Sequence, residues 1–326
     1  DLHSFPTRRS SDLPGSQGLT KNYGQGRGVF DLSFAVRQGE VFGFLGSNGA
    51  GKTVTMRHLM GFIRPQSGSA HIFGLDCFSE RAAIQRRLGH LPGEMATPED
   101  MSGSAFLEFM ARLRKLDDRT RMNELMERFE LDPRPKIRKM SKGTKQKVGL
   151  VCAFMSRPDV LLLDEPTSGF DPLMQGRFVE LVLEERDRGA TILLSSHMFE
   201  EVERSCDRVA FIRAGHLVGV ERMADVRASR RHAFRVSFSS KEERERYLQT
   251  CARSGARAHA LDECGVELWA DGGVDALIKG LANFHVVGLT SREQTLEELF
   301  LHFYGDGPSE NDPVEKQPST TREDIL

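Results

Sequence analysis

The chain has little that would mark it for an oxidising or membrane setting. Its 326 residues hold five cysteines, Cys77, Cys152, Cys206, Cys251 and Cys264. The number is odd and no two are spaced as CxxC, which argues against a disulfide framework and a zinc site and fits a reducing compartment. No stretch approaches the roughly 18 uninterrupted apolar residues of a membrane-spanning helix, and no apolar signal-peptide core follows the N-terminus. If the chain serves a membrane, another chain spans it. An excess of one charge is missing too. With 45 Lys and Arg against 47 Asp and Glu the formal net charge is -2, and the signs are interspersed, so no nucleic-acid partner or anionic membrane surface is selected. There is no internal repeat and no coiled-coil heptad run. His232, His259 and His285 lack metal-ligand spacing. What the length does allow is a large core, one big domain plus a smaller one.

Residues 1–13 (DLHSFPTRRSSDL) are polar and aperiodic and resemble translated sequencing-adapter read-through, so they are expected to be non-native or disordered. From Leu19 to Tyr23 and from Val29 to Val36 apolar and polar residues alternate, which predicts two short antiparallel strands. Val41–Leu45 (VFGFL) is a nearly continuous apolar run, as for a strand buried on both faces, and it ends where a glycine-rich loop opens into a helix near Lys52–Met60. The stretch from about Ala82 to Met140 reads as mostly helical. In it Phe106, Leu107, Phe109, Met110, Leu113 and Leu116 make one apolar stripe, for core packing or for docking a partner helix. Two more buried strands, Val160–Leu163 and Thr191–Leu194, flank a helix over Leu173–Arg188, and this alternation implies a largely parallel sheet. Val209–Val220 reads as a hairpin turning at Ala214 and Gly215.

From about Arg231 the texture changes. Strand-like Ala233–Phe238, Val266–Ala270 and His285–Leu289 alternate with helix-like Lys241–Ser254 and Val274–Ala282, followed by helical Thr295–Tyr304. The expected divisions are a main domain over 14–225 with a helical part at about 82–150, an accessory α/β domain over 231–304, and a disordered tail over 305–326 rich in Pro, Ser, Glu and Asp.

Gly46-Ser47-Asn48-Gly49-Ala50-Gly51-Lys52-Thr53 has the spacing in which main-chain N–H groups wrap a polyphosphate, with Lys52 reaching the outer phosphates and the Thr53 hydroxyl binding Mg²⁺. A ligand-free glycine turn is the alternative, disfavoured by the strand-loop-helix context. Asp164 and Glu165 leave the strand VLLL where open α/β sheets present ligand-binding groups. Asp164 would hold the Mg²⁺ shell and Glu165 would polarise the attacking water; alone, the pair would read equally well as solvated edge residues. His197, at the exit of the next strand, is placed to hydrogen-bond the terminal phosphate or the water.

The segment Met140-Ser141-Lys142-Gly143-Thr144, with Gln146 and Lys147, lies about twenty residues before Asp164. Together with Tyr23, GSNGAGKT, LLLDEP, Ser168-Gly169-Phe170-Asp171 and His197, it resembles the ATP-binding cassette ATPases of ABC transporters, in matching order from Leu19 to about Gly219. The group serving ABC-2 type permeases, such as drug, antibiotic or bacteriocin exporters, is most similar. The resemblance implies an α/β fold of the P-loop NTPase kind: a mixed, largely parallel sheet core, an antiparallel β subdomain and a helical subdomain, with a small C-terminal α/β extension. It implies ATP and Mg²⁺, an aromatic Tyr23 against adenine, Val54 in the phosphate loop, Ser141 and Gly143 gripping the γ-phosphate held by an opposite subunit, and Asp171 linking the two sites. Two ATP molecules in a head-to-tail homodimer, a separate integral-membrane permease, and a cytoplasmic place on the inner face of the membrane follow from it. No nucleic-acid partner is expected.

Three departures stand out. Lys142 and Thr144 replace the Gly and Gln of the usual LSGGQ signature, Val54 stands where Thr is usual, and Gly93, before Glu94, replaces the glutamine that contacts Mg²⁺. A water or Glu94 is expected to take over that contact. The competing reading is a cassette acting on ribosomes or DNA, but such members carry two cassettes with a charged linker or a long coiled coil, and neither appears here. A P-loop kinase or GTPase is disfavoured because no Asn-Lys-x-Asp segment is present.

Overall fold

The computed structural model describes residues 14–95, 98–228, 232–254, 258–269, 274–296 and 298, and it divides into two units, one ending at Met223 and one beginning at Ala224. The expected non-native segment 1–13, the tail 305–326 and most of the helix expected over Thr295–Tyr304 lie outside the described residues.

In the first unit, β1 (Gly15–Gly24) and β2 (Arg27–Ala35) pair antiparallel, with fully buried Leu19 opposite fully buried Leu32. The alternation that sends these residues inward fixes the register, since a slip of one would turn the apolar set outward. β1 runs beyond the segment read from sequence at both ends, and β2 starts two residues earlier and stops one short, at Ala35, because strand residues of either polarity serve equally on a sheet with one face to solvent. β3 (Val41–Leu45) belongs to another sheet, and α1 (Lys52–Leu59) follows it. β4 (Ser67–Ile72) and β5 (Leu75–Asp76) complete the antiparallel sheet, in the order β2-β1-β4-β5.

After α2 (Arg81–Gln85) comes β6 (Leu88–Leu91), inside the segment read as helical. Four residues are too few to show a period, and pairing with a distant strand decides their state. α3 (Gly103–Leu113) is capped by Ser102, whose hydroxyl accepts from Ala105 N at 3.2 Å; α4 (Thr120–Arg128) follows. Only part of the apolar stripe on α3 is core: Leu107 is buried, whereas Phe109 and Leu113 are 53% and 66% exposed.

α5 (Lys142–Phe154), capped by Ser141, runs into the core and leads to β7 (Val160–Asp164), α6 (Pro172–Asp187) and β8 (Thr191–Ser196). Then α7 (Phe199–Ser205) leads to the hairpin of β9 (Arg208–Arg213) and β10 (His216–Arg222), which turns at Ala214 and Gly215, both at positive φ.

The central sheet has the order β10-β9-β3-β8-β7-β6. All neighbours run parallel except β9 and β10. Because β3, β8 and β7 are parallel, their carboxyl ends meet at one sheet edge, with Leu45 beside Ser196 and Asp164 beside Ser195. Phe34, Phe42 and Phe44 interlock between the two sheets, Phe34 and Phe44 edge-on at 4.8 Å. Each such ring stabilises by about 1.5–3 kcal/mol through burial.

α8 (Met223–Ala228) spans the division between the units. The second unit consists of β11 (His232–Phe238), α9 (Lys241–Ser254), β12 (Ala258–Ala260), β13 (Gly265–Trp269), α10 (Val274–Leu281) and β14 (Val286–Glu293). Its sheet is antiparallel, in the order β12-β13-β11-β14, over a core of its own that includes Phe238, Tyr247, Cys251 and Leu277.

Candidate nucleotide site

The loop between β3 and α1 can exist only with glycines at particular places. Gly49 and Gly51 have φ of 83 and 113, a region side chains disfavour. At Gly46 the constraint is contact, since a Cβ would lie 2.3 Å from Ile212 O. α1 begins at Lys52 with no side-chain cap, so the first-turn N–H groups and the positive end of the helix dipole are free for an anion. Thr53 is exposed on that first turn, and the Val54 side chain packs against the core.

Lys52 is buried, and its ammonium donates to Gly46 O at 2.6 Å and Ser47 O at 3.3 Å. It also lies 3.2 Å from Glu165 Oε1. This contact is one of charge alone, because Oε1 accepts no hydrogen bond of acceptable angle. The other oxygen, Glu165 Oε2, is 2.5 Å from Nδ1 of half-exposed His197. An ionised carboxylate only accepts, so Nδ1 carries the hydrogen and Nε2 is left for another partner. Glu165 itself sits at φ 48, an uncommon conformation for a non-glycine residue and one expected at sites of function. Its N–H donates to Ser195 O at 3.0 Å.

Asp164 is buried, and its Oδ1 accepts from Ser195 Oγ. Its Oδ2 faces Gly93, where even a Cβ would stand 3.5 Å away, so space is open beside the carboxylate. No described hydrogen bond or ion pair joins Glu94 to Asp164. Lys52, Asp164, Glu165 and His197 thus share one locus.

Other predicted residues are placed elsewhere. Ser141 caps α5, with its Oγ accepting from Thr144 N at 3.2 Å and lying 2.9 Å from Thr144 Oγ1. Gly143 packs on Gly169 so closely that a Cβ would be 2.5 Å from Gly169 O. Asp171 caps α6 by accepting from Met174 N at 2.9 Å. None of these three makes a described hydrogen bond to the loop over residues 46–53. Tyr23 is exposed on β1 next to Asn22, which pairs with Gly28, and Gly28 O lies 3.2 Å from where a Gly51 Cβ would be. Strand register therefore carries Tyr23 towards the glycine loop.

Sequence reasoning left several residues outside the site that the structure brings into it. Gln146 Nε2 donates to Glu165 O and Pro166 O, at 3.2 and 3.1 Å. Ser196, fully buried, donates to Glu201 Oε2 at 2.5 Å. The one signal available was polar residues ending an otherwise apolar strand, TILLSS, which a buried strand tolerates only when they have partners.

A glycine loop that presents free helix N–H groups at the carboxyl edge of a mixed α/β sheet, with a lysine inside it and two carboxylates at the next strand end but one, defines a P-loop nucleoside triphosphatase. The family profile described as ABC transporter matches residues 29–168. Daunorubicin resistance ATP-binding protein DrrA3 of Streptomyces coeruleorubidus is 30% identical over 308 residues, covering 89% of this chain and 95% of that protein. Bacitracin transport ATP-binding protein BcrA of Bacillus licheniformis is 36% identical over 203 residues, covering 61% of this chain and 66% of that protein. A solved structure of the ATP binding subunit of an ABC transporter is 30% identical with a TM-score of 0.61, over 66% of this chain and 92% of that one. The chain belongs to the ATP-binding subunits of ABC transporters and is an ATPase. Among the described residues no helix is long and apolar enough to cross a membrane.

Proposed function

We propose that the chain is the motor subunit of an ABC-2 type exporter, powering efflux of a drug-like or antibiotic-like substrate through a separate integral-membrane permease. It sits on the cytoplasmic face of the membrane and works as a head-to-tail homodimer. The export reading is supported by the names of DrrA3 and BcrA, one tied to daunorubicin resistance and one to bacitracin transport. Exposed Phe109 and Leu113 on α3 suit a surface that another chain covers. Residues 14–225 are the cassette and 231–304 an accessory α/β domain.

The observation that carries the catalytic reading is the Lys52–Glu165–His197 line, 3.2 Å and 2.5 Å in its two steps. Lys52 moves its charge from the loop carbonyls to the outer phosphates of ATP, which frees Glu165 to act as base on the attacking water. His197 orients that water or the γ-phosphate. The main-chain N–H groups from Gly46 to Val54 hold the phosphates, and Tyr23 stacks on adenine. The open Oδ2 of Asp164 and the exposed Thr53 hydroxyl fit Mg²⁺, which would neutralise phosphate charge, with a water or Glu94 in the place beside Gly93. Exposed Ser141 and half-buried Gly143, at a helix start and without a described hydrogen bond to their own chain's loop, grip the nucleotide of the second copy, and Asp171 links the two sites.

Phosphate release by the full chain tests the catalytic reading. Glu165→Gln should lower turnover by on the order of a hundredfold while ATP still binds; near-normal turnover would reject Glu165 as the base.

A further inference from the structure

Glu201 takes no part in the chemistry above, yet it lies directly behind it. It is 6% exposed, on α7 four residues beyond His197. Its Oε2 accepts from Ser196 Oγ at 2.5 Å, and Ser196 Oγ in turn accepts from Met198 N at 2.9 Å, so the carboxyl holds the peptide on both sides of His197. The buried Thr167 hydroxyl is its other polar neighbour, two residues beyond Glu165. Thr167 O accepts from Phe170 N at 2.9 Å, at the head of the turn that leads to Asp171.

No described cation pairs with Glu201, and Oε1 has no full hydrogen bond. Burial, with the charge of Glu165 adding to it, pushes the carboxyl up to about 7, against the pull of Ser196, Thr167 and His197. A leucine here would avoid the cost of burying a carboxyl, so packing alone does not account for the residue. Ser196 and Thr167 both favour the carboxylate and offset part of that cost.

We infer that Glu201 is a positioning residue for ATP hydrolysis, joining the strand exit that bears His197 to the strand exit that bears Glu165 through Ser196 on one side and Thr167 on the other. It touches neither the nucleotide nor the reacting atoms. Its effect passes through the 2.5 Å pairing of His197 with Glu165, which requires the two strand exits to keep their spacing. The inference rests on the roles proposed for those two residues.

The test is steady-state ATP hydrolysis by the full chain, with ATP affinity measured separately by titration. Glu201→Leu keeps the volume and removes the hydrogen bond from Ser196 and the polar contact with Thr167. It should lower kcat by about tenfold or more with KM and ATP affinity within about twofold. Glu201→Gln, which keeps an oxygen for Ser196 and gains an amide donor for Thr167, should return kcat to within about threefold of the parent. Unchanged kcat in Glu201→Leu overturns the inference. So does a parallel loss of kcat and ATP affinity, or a Glu201→Gln variant as slow as Glu201→Leu. Glu165→Gln measured alongside keeps the two readings apart, because normal turnover there removes the proposed base whatever the Glu201 variants do.

Discussion

Gln146, one turn into the helix that Ser141 caps, donates through its side-chain amide to the main-chain carbonyl of Glu165 at 3.2 Å. The same amide reaches Pro166 O at 3.1 Å. Glu165 O retains a second donor in Ser168 N at 3.2 Å, whereas no other described donor serves Pro166 O. Gln146→Met, of similar volume, should therefore leave one buried carbonyl unpaired, cost about 1–3 kcal/mol of stability, and lower kcat with little change in ATP affinity. Thermal unfolding and turnover check both parts.

Two glycines should respond to alanine in opposite directions. At Gly143 a Cβ would meet Gly169 O at 2.5 Å, backbone against backbone, while at Gly176 on α6 nothing lies within 4 Å. Gly143→Ala should cost about 1–3 kcal/mol from overpacking and impair hydrolysis. Gly176→Ala should gain about 0.5–1 kcal/mol, because it relieves the entropic cost of a mid-helix glycine. Differential scanning calorimetry of the two variants checks the signs.

The buried Glu201 carboxyl gives stability a definite pH signature. Its folded pKa of about 7 is raised from an ordinary 4.5, so its contribution is fully present below about 4.5 and is lost as pH rises through about 7. The loss is about 3 kcal/mol as an order of magnitude. Glu201→Gln does not titrate. The stability difference between parent and variant should therefore shift in favour of the variant between pH 5 and pH 8, and a constant difference would contradict the burial argument.

Glu94→Gln tests what replaces the side chain absent at Gly93. If Glu94 contributes charge to the metal shell, the variant should need more Mg²⁺ for half-maximal turnover; an unchanged Mg²⁺ requirement assigns that place to water.

Much of the cassette was legible because its signals are local. VFGFL, VLLL and TILL announce buried strands by composition, and the 46–53 loop announces itself by glycine spacing. β6 was not legible, because Leu-Gly-His-Leu becomes a strand only by pairing with β7 across some seventy residues, from Leu88 to Val160. β12 and β4 are similar, short and without an apolar period. In the site, Lys52 could be named from the glycine spacing, and Asp164, Glu165 and His197 because they lie at or just after strand ends. Gln146 stands out as part of the segment that begins at Met140, but its contact with Glu165 O and Pro166 O is not legible from spacing, and Glu201 could not be placed there, since a glutamate on a helix looks like a solvent-facing residue until the fold buries it. The caps formed by Ser141 and Asp171 show a further limit: both residues have a structural use within one chain that spacing alone did not reveal.

The central claim is that the nucleotide is held between one copy's glycine loop and the other copy's Ser141 and Gly143. Sedimentation velocity of the Glu165→Gln full chain, with and without Mg-ATP, tests it most directly. The account predicts a shift from monomer to dimer on adding Mg-ATP, abolished when Ser141→Arg is added. A chain that binds ATP and stays monomeric at every concentration would contradict it.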